Sequence, residues 1–130
     1  VGGHVQAAMN LIVHLCARDA WQAARAQGTY RPESLAREGF IHFSRPEQVL
    51  AVANAFYRGA AGLVLLWVDP DRLSAELRWE APAPPDGSTA PHAGAAPFPH
   101  VYGPLEVGAV VGVVDFPPGA DGVFRDVPVP

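Results

Sequence analysis

Short apolar runs separated by polar or glycine-containing segments dominate the chain, and they predict a series of short strands. LIVHLC (residues 11–16), FIHF (40–43) and GLVLLWVD (62–69) are too short for most helices and apolar enough for buried strands. AELRWE (75–80) alternates between polar and apolar positions, which predicts a half-exposed strand. VGAVVGVVDF (107–116) predicts a last apolar strand, after FPHVYG has brought the chain back into ordered structure.

Two segments predict helices. ARDAWQAARAQG (17–28) has a small apolar stripe at helical spacing and ends at a glycine. SRPEQVLAVANAFYRG (44–59) is the clearest predicted helix, because Ser44 can cap it and Glu47, three residues later, completes a capping box. The intervening residues 29–39 predict a turn with at most one turn of helix.

This order of elements predicts a small α+β domain with two main helices and a curved, mainly antiparallel sheet. Residues 81–97 form a loop rich in proline, alanine and glycine, which predicts either a mobile lid or a disordered insertion. The proline-rich tail from Pro117 is expected to lie on the surface or to fray. No dinucleotide-binding or phosphate-loop fingerprint is present in the sequence.

Composition supports a globular domain and argues against a nucleic-acid partner. The chain has 130 residues, of which 49% are hydrophobic and 17% charged, and this is a composition that can bury a core. Nine basic residues against thirteen acidic ones give a net charge of −4, whereas a nucleic-acid-binding protein usually shows a basic face. No apolar run reaches the length of a membrane span.

The N-terminal residues and the single cysteine indicate where the native chain starts and in which cellular compartment it is expected. Residues 1–8 lack the features of a signal peptide, and Met9 is expected to be the native start, which leaves residues 9–130 as one domain and 1–8 as an upstream extension or expression remnant. Cys16 has no partner for an internal disulfide and follows an apolar run, so it is expected to be a small buried residue. This usage fits a reducing interior and a cytoplasmic location.

Three histidines in or beside apolar strands are the main candidates for chemistry. His14 and His42 lie inside predicted strands, and His100 lies in FPHVYG. Each alone is expected to be a structural histidine with hydrogen-bonded ring nitrogens, but together they can line a cleft for proton transfer, ligand binding or metal ligation. The metal hypothesis lacks the close pairs of ligands typical of zinc sites. Ser44 lies beside His42, but no GxSxG elbow surrounds it, which argues against Ser–His hydrolysis.

Several motifs together resemble a known family. LIVHL, GTYRPESL, EGFIHFS, LRWE and FPHVYGPL resemble the bacterial DUF952 family, small proteins without an assigned function. The resemblance runs from about Leu11 to about Phe124. The family has been grouped with the ADP-ribosyltransferase-like fold, which includes the RNA 2′-phosphotransferases. The resemblance therefore implies a split sheet with a cleft of the NAD-binding type.

The resemblance also implies roles for particular residues. His14 would bind the ribose on the nicotinamide side, His42 would lie beside the nicotinamide or a phosphate, and Glu80 or His100 would be the third catalytic element. Independently of the resemblance, the sequence offers ligand-binding candidates that could supply hydrogen bonds or stacking faces: Tyr30, Ser34, Ser44, Gln48 and Tyr102.

The implied activity is binding of NAD or an ADP-ribose-like ligand, followed by its transfer or hydrolysis. NAD would be the substrate, no metal is expected, and the partner would be a nucleotide-type small molecule with an unspecified acceptor. Two alternatives are a non-catalytic nucleotide-binding domain and a metal-dependent enzyme using the three histidines. The exposed edges of so small a sheet allow either a monomer or a homodimer.

Overall fold

The computed structural model describes residues 10–82 and 96–130, which form a small α+β domain of three helices and antiparallel sheets. Most of the predicted loop at residues 81–97, and all of residues 1–8, lie outside the described part of the chain. The elements, in chain order, are as follows: β1 (Ile12–Ala17), α1 (Arg18–Gln27), β2 (Thr29–Tyr30), α2 (Glu33–Glu38), β3 (Ile41–His42), α3 (Val49–Phe56), β4 (Leu63–Val68), β5 (Glu76–Glu80), β6 (Phe98–Tyr102), β7 (Leu105–Glu106) and β8 (Val110–Asp115).

The strands form three antiparallel sheets. Strand β4 lies between β1 and β8, strand β6 lies between β3 and β5, and β2 pairs with β7. The first two sheets are joined by an isolated bridge, in which the main chains of Val13 and Ser44 exchange two hydrogen bonds of 2.8 Å. The bridge holds β1 beside the end of β3.

Two apolar clusters fill the space on opposite sides of this arrangement. Because side chains alternate along a strand, neighbouring residues of β1 contribute to different clusters. Core cluster 1 contains Ile12 and Cys16 of β1, together with Trp21 of α1 and Ile41 of β3. Core cluster 2 contains Val13 and Leu15 of β1, residues of α3, and residues from the C-terminal segment.

The pattern of apolar runs predicted most elements correctly. Each predicted strand is found within one to three residues of its predicted ends, and α1 matches the predicted helix closely. The segment 29–39 holds more structure than predicted, since β2 and α2 both lie within it. The domain therefore has three helices and not two main ones.

The predicted helix over residues 44–59 is too long at its N-terminal end. Helix α3 begins at Val49, and Ser44 makes no capping bond because both of its main-chain groups are paired with Val13. A capping box would need the main-chain N–H of Ser44 to donate to Glu47, and that N–H already donates to the carbonyl of Val13. The side chain of Gln48 instead accepts a hydrogen bond from the main-chain N–H of Arg45 at 2.9 Å.

The tail from Pro117 does not simply lie on the surface, as the sequence predicts. Phe124 is 2% exposed and packs on Phe116, with ring centroids 4.9 Å apart. Asn54 of α3 holds the same residue by two hydrogen bonds, accepting from its main-chain N–H at 2.8 Å and donating to its carbonyl at 2.9 Å. The tail thus completes core cluster 2.

Candidate functional site

The sheet formed by β3, β6 and β5 turns a polar face away from core cluster 1. Ile41 pairs with Val101, and Val101 pairs with Leu77, so these apolar side chains point into the cluster. The alternate positions carry the other face. We call this the outer face, and its members are His42, His100, Arg78, Glu80 and Tyr102, joined by Phe40 and Glu38 from the chain before β3.

Glu80 connects two other residues of the outer face by hydrogen bonds. Its Oε1 accepts hydrogen bonds from the Tyr102 hydroxyl at 2.6 Å and from His100 Nδ1 at 2.8 Å. These two donors, first Tyr102 and then His100, lower the pKa of the carboxyl, so Glu80 is ionised at neutral pH. The same bond raises the pKa of the Tyr102 hydroxyl, since a carboxylate acceptor favours the protonated phenol.

His100 is buried beneath an aromatic ring. Only 2% of the residue is exposed, and Phe40 stacks on the imidazole with a centroid distance of 4.3 Å and an interplanar angle of 24°. Burial lowers the pKa of His100, which outweighs the opposite effect of its bond to Glu80. The ring is therefore neutral near pH 7, with its Nδ1–H donated to Glu80.

His42 lies directly across the strand pair from His100. The two residues are Cα partners in the β3–β6 ladder, and their ring centroids are 5.7 Å apart. Glu38, the last residue of α2, accepts a hydrogen bond from His42 Nε2 at 3.1 Å. The side chains of His42 and Glu38 are 18% and 26% exposed, so this pair can be reached from solvent.

Arg78 adds a cation to the outer face. Its guanidinium lies 4.2 Å from the centroid of the Tyr102 ring and bonds to Glu76 at 3.0 Å. The side chain is 49% exposed, which leaves it able to meet an anionic group of a ligand. The pKa of Arg78 is raised, chiefly by the bond to Glu76.

His14 does not join the outer face. It shares a face of β1 with Ile12 and Cys16, whereas the bridge between Val13 and Ser44 places those two residues, and hence His42, on the opposite side. Its Nδ1–H donates to the carbonyl of His42 at 2.5 Å, because a carbonyl oxygen can only accept.

Tyr30 completes the surroundings of His14. With Nδ1 protonated, Nε2 of His14 accepts from the Tyr30 hydroxyl at 2.9 Å. Burial is the main reason that the pKa of His14 is lowered to about 4, and burial also raises the pKa of Tyr30. Both ring nitrogens of His14 are thus satisfied within the protein, as in a structural histidine.

The structure therefore divides the predicted site residues into two groups. It brings together four of them, namely His42, Glu80, His100 and Tyr102. It separates His14 and Tyr30 from these four, so the three histidines named for a metal site do not converge. Within residues 10–82 and 96–130, no group of three or more histidine, cysteine, aspartate or glutamate side chains could hold a metal ion.

The remaining predicted ligand-binding residues are Ser34, Ser44 and Gln48. Ser44 is buried at 6% exposure in the bridge, and Gln48 donates to the carbonyl of Pro97 at 3.1 Å. Ser34 is half-buried on α2. Burial raises the pKa of Cys16 to about 11, which keeps it a thiol, in agreement with the predicted buried role.

Sequence reasoning missed three members of the outer face as site residues: Phe40, Glu38 and Arg78. Phe40 and Glu38 flank Gly39, whose φ of +89° ends α2 and turns the chain into β3. The signal for Arg78 was its place in the alternating strand, two residues before Glu80, which put both on one face.

The fold and the outer face together define a small α+β domain that carries a phenol, a carboxylate and two imidazoles on one side of a three-stranded sheet. A family model described as "Protein of unknown function (DUF952)" matches residues 15–113. The chain belongs to this family, as its motifs predicted.

Solved structures of one relative support the same fold. The chain is similar to Protein CC0527 from Caulobacter crescentus. Its crystal structure matches with 39% sequence identity and a TM-score of 0.74, and the match covers 88% of this chain and 93% of that one. The solution NMR structure of CC0527 gives 39% identity and a TM-score of 0.72, covering 90% and 93% of the two chains. A search of curated proteins found no match.

Within the described ranges, 10–82 and 96–130, no helix is both long and apolar enough to cross a membrane.

Proposed function

We propose that the protein binds NAD or an ADP-ribose-like nucleotide on the outer face and transfers or hydrolyses it. The observation that carries this proposal is the double hydrogen bond to Glu80 Oε1 from Tyr102 and His100. These bonds hold an ionised carboxylate in one orientation while the Glu80 side chain stays 35% exposed. A carboxylate has further lone pairs to accept hydrogen bonds, and ribose hydroxyls are suitable donors.

The neighbours of Glu80 suit the rest of such a ligand. The exposed guanidinium of Arg78 can pair with a diphosphate, for which the planar fork of arginine is well matched. The rings of Phe40 and Tyr102, 5.2 Å apart, offer aromatic surface for a base or a nicotinamide ring. The ligand chemistry that fits this combination is sugar hydroxyl, phosphate and flat ring.

The reaction draws on the same carboxylate. When nicotinamide leaves NAD, positive charge develops on the ribose, and a fixed carboxylate beside it stabilises that charge. His100 and Tyr102 are positioning residues in this proposal, because they act through Glu80.

The proposal includes an ADP-ribosyltransferase-like fold and a cytoplasmic location. What supports the fold is the split antiparallel arrangement, in which two three-stranded sheets meet at the Val13–Ser44 bridge. What supports the location is the use of a single buried cysteine.

Thermal unfolding in the presence of ligands tests the binding step. We expect NAD or ADP-ribose to raise the melting temperature. At a hundredfold excess over Kd, the ligand increases the free energy of unfolding by about 2.7 kcal/mol. Glu80→Gln keeps the size of the side chain but removes the charge, so we expect it to lose most of this shift. The control Asp19→Asn removes one negative charge from α1, which packs on core cluster 1, and should keep the shift.

Two results would contradict the binding proposal. One is the absence of any shift with either nucleotide, and the other is an unchanged shift in Glu80→Gln. Binding without turnover would instead support the alternative of a non-catalytic nucleotide-binding domain.

A further inference from the structure

We infer that the pair formed by Glu38 and His42 is the proton-transfer group of the outer face, and that the second reactant is water. The inference rests on the proposed function and deepens it, because it names the acceptor and turns the reaction into hydrolysis of the bond between nicotinamide and ribose. Glu38 is a positioning residue in this scheme, and His42 is the catalytic base.

The local chain geometry builds this pair. Helix α2 ends at Glu38, and Gly39 takes a left-handed conformation that turns the chain at once into β3. Glu38 and His42 are thereby brought onto the same side, with Oε1 3.1 Å from Nε2. Because a carboxylate only accepts, the Nε2–H of His42 donates to it, and Nδ1 is the nitrogen that carries the lone pair.

Solvent exposure distinguishes the two imidazoles of the outer face as acceptors of a proton from water. His100 is 2% exposed, lies under Phe40 and gives its Nδ1–H to Glu80. The side chain of His42 is 18% exposed, and its ring lies 5.7 Å from that of His100. Of these two rings, His42 is the one that a water molecule beside a ligand can reach. The outer face therefore separates binding, at Glu80, from proton transfer, at His42.

The step balances with the groups named. The bond between C1′ of the ribose and the nicotinamide nitrogen breaks, and its electron pair goes to that nitrogen, which cancels the positive charge of the ring. A water oxygen forms the new bond to C1′, and one water proton moves to Nδ1 of His42. The products are nicotinamide, ADP-ribose and one proton, held first as the imidazolium of His42 beside the Glu38 carboxylate.

Product analysis with NAD tests the inference directly. We expect the purified chain to release nicotinamide and ADP-ribose in equal amounts. His42→Ala should lower kcat by at least 100-fold, the lower end of the usual contribution of a general base, while Kd for NAD changes less than threefold. Added imidazole should restore part of the activity of His42→Ala, which a purely structural role would not allow.

A matched pair of variants on α2 tests Glu38. We expect Glu38→Gln to lower kcat by about tenfold with KM unchanged, since the imidazole keeps its place but loses its carboxylate partner. Glu33→Gln on the same helix is the control. Glu33 is 82% exposed at its side chain and pairs with Arg37, which also lies 3.7 Å from Glu38, so this variant measures what the loss of an Arg37 partner does by itself. It should leave both constants unchanged.

The outcomes separate this inference from the proposed function. If NAD binds but no nicotinamide appears, or if His42→Ala is as active as the native chain, the inference is wrong and the binding proposal stands. If NAD does not bind, the proposed function itself fails. His42→Asn, checked for native melting, replaces His42→Ala if the alanine variant does not fold.

Discussion

At the residue scale, His14 shows how burial and hydrogen bonding fix the state of a histidine. Its Nδ1–H donates to the carbonyl of His42 and its Nε2 accepts from Tyr30, so the neutral ring has a partner at both nitrogens. A proton added to Nε2 would require the Tyr30 hydroxyl to turn, so that its oxygen accepts a hydrogen bond from the ring and no longer donates one. The ring is therefore part of the packing between β1, β2 and β3.

The lowered pKa of His14 predicts a loss of stability in acid. The pKa is about 4 in the folded state, against an ordinary value of 6.5. Between these values the unfolded chain binds a proton that the folded chain does not, so the free energy of unfolding falls as pH falls from about 6.5 to about 4. The expected loss is on the order of 3 kcal/mol.

Urea unfolding at pH 7 and pH 4.5 measures this effect, and His14→Gln isolates it. Glutamine can donate to a carbonyl and accept from a hydroxyl, but it does not titrate. The variant should lose less stability between the two pH values than the native chain. Some slope should remain, because burial also lowers the pKa of His100. An identical loss in both proteins would contradict the assignment.

The motifs around His42 and His100 predicted that these two residues lie together, and their ring centroids are 5.7 Å apart. The placement of His14 could not be predicted in the same way. It depends on which face of β1 points toward Tyr30, and that is set by non-local pairing: the ladder with β4 and the bridge between Val13 and Ser44, residues 31 positions apart in the chain. A shift of one residue in such a pairing moves every side chain to the other face.

At the element scale, local signals predicted strands and helices well where no distant partner competes with them. Helix α1 is such a case, since its apolar residues and terminal Gly28 agree with the structure. Ser44 is the opposite case. Its spacing to Glu47 is that of a capping box, but the main-chain N–H that Glu47 would bind donates to Val13. Non-local pairing overrode a local cap.

Gly103, between β6 and β7, lies close to Ala75, the residue before β5. A Cβ at this position would lie 2.7 Å from the Cβ of Ala75, which is closer than such atoms approach. We expect Gly103→Ala to lower the free energy of unfolding by about 1–3 kcal/mol, as overpacked sites do.

The control for this prediction is Gly108→Ala. A Cβ there meets no atom within 4 Å and the residue lacks a positive φ, so its stability should change little. Denaturant unfolding of both variants compares them. If the two variants are equally stable, the prediction is wrong, because the chain beside Ala75 then moves to make room for the methyl group without loss of stability.

At the scale of the whole molecule, the C-terminal segment closes one side of the fold. Phe124 packs with Phe116 in core cluster 2, and Trp67 of β4 donates its Nε1–H to the carbonyl of Pro128 at 3.1 Å. The proline content of the tail predicted an exposed segment. A single buried aromatic residue among prolines gives no periodicity, and so the sequence pattern could not reveal this packing.

We expect Phe124→Ala to lower the free energy of unfolding by about 3–5 kcal/mol, because it removes a buried ring from a packed cluster. Val129→Ala is the control in the same tail, since Val129 is 69% exposed and should change stability by less than about 0.5 kcal/mol. Calorimetric unfolding gives both values. If Phe124→Ala melts like the native chain, the tail does not contribute to the core.

The bridge between the two larger sheets consists of main-chain atoms alone. Val13 and Ser44 each give one N–H and one carbonyl to it. Every amino acid except proline supplies these same groups, so mutation at either position can change the side chain and leave the donors and acceptors in place. The hydrogen bonds of the bridge are for that reason independent of side-chain identity, as long as neither residue becomes proline, and it is burial in core cluster 2 that restricts the side chain at Val13.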